Sequence, residues 1–105
     1  MDWGLELARG QHLWRAATPL PWLQEVQRFF GSLARFDAYV ASDEPLGSTA
    51  EQLFQGPVAD ALTHVGQLTM LRGLAGAPIR AENYAQAKIE KGTVGLEQAA
   101  PRVEF

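Results

Sequence analysis

Asp60 and His64 stand four residues apart in a stretch that reads as one helix from Pro57 to Ala75, so both side chains leave the same face one turn apart. A carboxylate and an imidazole at that spacing can share a divalent metal, each supplying one ligand. The same two groups can instead form a hydrogen-bonded pair in which Asp60 fixes the histidine tautomer, or they can line a wet seam between helices. Gln67, Leu71 and Leu74 continue the row. His64 falls between Leu68 and Leu71 on the helical wheel, which predicts that the pair points at the packed side of the helix.

The other polar residues offer less chemistry. His12 follows Gly10 and precedes Leu13-Trp14, and from such a loop it reaches His64 only if the loop folds back over the helix ends. Ser32, Ser42 and Ser48 have no base at readable spacing. The absence of cysteine excludes a disulfide framework, a zinc ribbon and a thiol nucleophile. Neither a glycine-rich phosphate loop nor a nucleophile elbow occurs. Tyr84, beside Asn83, reads as a packing residue with its ring buried and its hydroxyl bonded.

Helices must position these groups, because no stretch alternates with a period of two for long enough to make a strand. Asp2 to Ala8 is a short apolar helix, stopped by Gly10 and with no cap ahead of it. Thr18 followed by Pro19 predicts the start of a second helix. Its apolar positions, Trp22, Val26, Phe29, Phe30, Leu33, Phe36 and Val40, fill one arc, and it ends near Ala41-Ser42. Asp37 interrupts that arc and is expected at a seam, bonded to a backbone group. Ser48-Thr49-Ala50-Glu51 has the spacing of a capping box for a turn or two of helix carrying Leu53 and Phe54. The broad arc of the third helix predicts a central element with more than one neighbour. A last helix is expected from Ala81 to Ile89, with an irregular tail from Thr93 to Phe105.

The 105 residues suffice for one domain with a small core. An apolar fraction of 47% with 20% charged residues fits a folded soluble chain rather than a disordered one. The net charge of −3 provides no basic field for nucleic acid. No apolar run approaches the roughly 18–20 residues that cross a bilayer, and the first residues lack a signal h-region. The expectation is an all-α antiparallel bundle in the cytoplasm.

The string Ala61-Leu62-Thr63-His64-Val65-Gly66-Gln67-Leu68, with Leu71-Arg72-Gly73-Leu74-Ala75-Gly76 and then Glu82-Asn83-Tyr84, resembles the DinB-like (DinB/YfiT) superfamily. His64-Val65-Gly66-Gln67 is similar to that family's His-x-Gly-Gln signature, whose histidine binds a divalent metal. The resemblance covers most of the chain. It implies a four-helix bundle with a long crossover, often a homodimer, of which residues 1–105 match the C-terminal two-thirds as a single domain. It also implies a site of three histidines: one near the start of the second helix and two, four apart, on the last. His64 matches the second of that helical pair, and Asp60 stands in the place of the first. The remaining ligand is expected ahead of Met1, on the helix whose end is Asp2 to Ala8, along with the family's first helix.

On this reading Asp60 and His64 are metal ligands, and the cation is nickel, zinc or manganese. The implied activity is that of a metal-dependent hydrolase or transferase, acting on a small molecule through metal-activated water or a thiol cofactor. The alternative is a non-catalytic helical module that self-associates. An absent helix would leave the apolar faces of the second and third segments open. The resemblance therefore implies a dimer joined through the faces carrying Trp22, Phe29, Phe36 and Leu71.

Overall fold

Two prolines decide where the longest helix begins. A computed structural model describes residues 1–104. Its elements are α1 (Asp2–Ala8), α2 (Trp22–Val40), the single turn α3 (Ala50–Leu53), a π-helical turn Phe54–Val58, and α4 (Ala59–Leu74). The predicted start at Thr18-Pro19 does not occur; α2 starts at Trp22 with Pro21 as N-cap. Leu20 precedes Pro21, and a residue before proline is driven out of the helical region, so the second proline overrides the first. The Leu20 N–H instead donates to Glu25 Oε1 at 2.8 Å, and Glu25 pairs with Arg28 at 2.6 Å. The far end is as expected, with Val40 last and Ala41 as C-cap.

The capping box forms one residue later than its predicted position. The Thr49 hydroxyl accepts from the Gln52 N–H at 3.2 Å, and Gln52 Oε1 accepts from the Thr49 N–H at 3.0 Å. Ser48 is thereby left free, and its hydroxyl donates to the Leu7 carbonyl at 2.9 Å, securing the end of α1. Leu53 is buried as a core residue, whereas Phe54 is exposed. Pro57 has no N–H for the Leu53 carbonyl, and its ring would crowd that carbonyl in a regular turn. The backbone widens into the π turn around it, so regular helix resumes only at Ala59. Gly76, at φ +74°, closes α4 while the Ala77 N–H reaches back to the Arg72 carbonyl at 2.9 Å.

The core gathers around α1, the shortest of the multi-turn helices. Leu5, Leu7 and Ala8 are buried against Phe36 of α2 and Leu53 of α3, with Trp3, Tyr39 and Val58 packed at the edge. Gly4 lies so close to the π turn that an added Cβ would sit 3.0 Å from Pro57 Cβ. The backbones of Gly10 and Gly47 touch, leaving no room for a Cβ at Gly47, and the Gly47 N–H donates to the Ala8 carbonyl at 2.8 Å. At the other end of α1, Asp2 accepts from Ser32 Oγ at 2.5 Å and pairs with Arg35 at 3.0 Å.

Every regular element among the described residues is helical, so the all-α class holds. The one extended pairing is an isolated antiparallel bridge, Glu82 to Glu104. The predicted helix from Ala81 to Ile89 is replaced by turns. Asn83 Oδ1 accepts from the Ala85 N–H at 3.1 Å, a local bond that competes with helix, and no packed neighbour buries an apolar face there. Phe105, the last residue of the expected tail, lies outside the described residues.

Candidate functional site

Asp60 and His64 lie in the first two turns of α4, and both face solvent. Their side chains are 58% and 63% exposed, respectively. This corrects the expectation that the pair faces a packed side. The central helix contacted by several neighbours is likewise not observed: α4 packs only against the π turn and buries none of its residues. α4 packs against no second helix, so the pair does not lie in a seam between packed helices, although Asp60 borders an open cavity.

The pair itself is well disposed toward a cation. Gln67 Oε1 lies 2.8 Å from His64 Nδ1. An amide oxygen only accepts, so this contact favours the tautomer in which Nδ1–H donates to Gln67, the form that leaves the Nε2 lone pair available to a cation. Nε2 lies 3.7 Å from Asp60 Oδ1, too long for a hydrogen bond. A cation about 2.0–2.2 Å from each donor can bridge that gap. Gln67 therefore orients the imidazole, a role that the i,i+3 spacing permits but that side-chain types alone do not reveal.

Two donors are half of what a tetrahedral site requires. Among the described residues no group of three or more His, Asp or Glu side chains is placed to hold a metal. His12 stays on the exposed loop between α1 and α2 and does not join the pair. Tyr84 is 79% exposed and does not pack as expected.

Asp60 has a second environment that the periodicity did not signal. It lines one side of a cavity of about 580 Å³ formed by α1, the following loop and α2, together with Glu6, Trp3, Trp14 and Arg28. These residues come from separate segments, so only the fold brings them together. Asp2 and Ser32 line the same cavity, and the Ser32 hydroxyl and then the Arg35 guanidinium hold the Asp2 carboxyl below its usual range, against the opposing effect of partial burial.

The chain matches no family model, no curated protein and no solved structure.

A second opening runs between α2 and α4, a groove of about 320 Å³ lined by Phe29, Leu33, Phe36, Val58, Leu62 and Val65. Asp37 also borders this groove but makes no backbone hydrogen bond of the kind expected for it among the described residues. Of the aromatic face predicted for association, Phe36 is buried against α1, so it is inaccessible to a partner. Trp22, Phe29 and Leu71 are exposed. No helix among the described residues is long and apolar enough to cross a membrane.

Proposed function

We propose that this chain is a DinB-like helical module that holds a divalent cation, nickel, zinc or manganese, through Asp60 and His64, in the service of hydrolysis or group transfer on a small molecule in the cytoplasm. The supporting observation is the Asp60–His64–Gln67 row, with a lone pair on Nε2 and a carboxylate oxygen 3.7 Å away. A bound cation would supply Lewis acidity and an activated water at neutral pH. The chain's own residues do the positioning: Gln67 favours the ring proton on Nδ1, and Asp60 presents a negative charge to the cavity that it lines with Glu6. The four-helix bundle of the resembled family belongs to this same proposal, and nucleic acid is not among its ligands.

Thermal unfolding with each cation tests the reading. A cation at a hundredfold excess over its Kd stabilises by about 2.7 kcal/mol, so the wild type should melt several degrees higher, whereas His64→Ala should not respond. Equal behaviour of the two proteins with all three cations would sink it.

The second reading, a non-catalytic module that self-associates, draws on a separate observation. A sixteen-residue helix that buries no residue leaves Leu68, Met70, Leu71 and Leu74 exposed and open to another chain.

A further inference from the structure

The larger cavity has aromatic walls that are held from behind. The edge of the Trp3 ring lies 3.5 Å from where a Gly56 Cβ would stand on the π turn, and Trp3 packs against the core around Leu5 and Leu53. Phe29 meets Phe30 edge to face, with ring centroids 5.2 Å apart. Trp14 comes from the loop after α1 and is 72% exposed. All three rings line the same space of about 580 Å³, a size that suits a small-molecule ligand. A tryptophan so exposed beside two supported rings is apolar surface that a ligand would cover.

The charges of the lining do not cancel. Arg28 is engaged by Glu25 at 2.6 Å and by the Thr18 carbonyl at 3.2 Å. Asp2 is engaged by Ser32 and Arg35, and the Met1 ammonium also acts on it. Glu6, half-buried on α1, and Asp60 remain. Neither carboxylate accepts a hydrogen bond among the described residues, and His64 Nε2 stays 3.7 Å from Asp60. The two outnumber Arg15, the one basic side chain of the described lining that makes no ion pair there. Aromatic faces attract positive charge, so rings and uncommitted carboxylates select the same kind of ligand. An ammonium carrying carbon groups suits both, because those groups shed water against the rings while the charge meets the carboxylates.

We infer that the cavity between α1, the following loop and α2 binds a small organic ammonium ion, its charge facing Glu6 and Asp60 and its carbon groups against Trp3, Trp14 and Phe29. This site needs no metal and does not rest on Asp60 and His64 as metal ligands. Asp60 belongs to both, so a metal beside His64 and an ammonium in the cavity compete for one carboxylate. Binding covers Trp14, which of the three rings has the most surface to lose.

Tryptophan fluorescence of the full chain tests this, titrated with choline and with benzyltrimethylammonium while a chelator removes metal. Each probe is compared with its uncharged isostere, in which a quaternary carbon replaces the nitrogen. The charged probes should change the emission saturably and bind about tenfold or more tightly than their isosteres. Glu6→Gln and Asp60→Asn should each weaken the charged probes several-fold and leave the isosteres unaffected, with circular dichroism confirming that the helices are retained. Trp14→Leu should remove most of the emission change, whereas Trp22→Phe, outside the cavity lining, should keep it. Equal binding of charged and uncharged probes would overturn the inference. So would charged probes bound undiminished by both carboxylate variants, or no binding of either probe by fluorescence or thermal shift. With metal removed, each of these failures leaves the metal reading standing, and failure of that reading leaves this site in place.

Discussion

α1 and α4 are opposites. α1 has seven residues and buries four of them, Gly4, Leu5, Leu7 and Ala8; α4 has sixteen and buries none. A seven-residue helix is too short to persist alone in water, so α1 exists because α2, the Gly47-Ser48 turn and the π turn enclose it. α4 is long enough to approach marginal stability from its own backbone bonds, with Leu, Met, Gln and Arg as good helix formers. Length and periodicity thus describe what a helix can be, whereas burial depends on how many neighbours surround it. The chemistry-bearing residues lie on the helix with the fewest.

Substitutions can break or sharpen that contrast. Leu5→Ala should have the largest effect, about 2–5 kcal/mol of lost stability by urea denaturation, since it empties the centre of the core; a loss no greater than that of Leu74→Ala would remove the contrast. Gly47→Ala should follow at roughly 1–3 kcal/mol, because its Cβ meets the Gly10 backbone, and a circular-dichroism melt would register it. Thr49→Ala removes the cap that starts α3 and should lower stability by about 1 kcal/mol.

Ser32→Ala should act through pH. The Asp2 pKa is lowered in the folded state, so the native chain binds fewer protons than the unfolded one in acid. Its contribution is therefore full above the usual value of 3.8 and is lost as pH falls through the lower folded value. The variant should lose less stability than the wild type between about pH 7 and about pH 3, measured as the change in urea midpoint; identical changes would show that the Ser32 hydroxyl does not hold the carboxyl down. Leu74→Ala, at a solvent-facing position, should stay within about 0.5 kcal/mol in dilute monomer.

Local chemistry was readable in the sequence where one segment decided it alone. The α2 arc and its end at Val40 follow from spacing, and the Ser48-Thr49 region had to start a helix. The details turned on competition between adjacent signals: Pro21 against Pro19, and Thr49 against Ser48. The α4 boundary moved because Pro57 lies within a wider turn rather than at a first helical position. The centrality of α1 was not readable, since three large apolar side chains give little pattern and their neighbours arrive from residues 32–57. Asp60 and His64 were identifiable by type and spacing, but their exposure was not. An apolar arc marks a surface that favours burial, and only a partner supplies it. The cavity joining Asp60 to Glu6 and Trp14 depends on three segments at once, so no window of sequence contained it.

The π turn has one more consequence. It admits one residue more than an α turn between successive hydrogen bonds, so every residue after it is rotated by roughly 100° from the phase of an unbroken helix. Pro57 therefore sets the compass bearing of Asp60, His64 and the leucines beyond them. An insertion or deletion between Phe54 and Val58 would swing that whole row to another quarter of the molecule without altering any residue of α4. What the row can meet is written three residues before it begins.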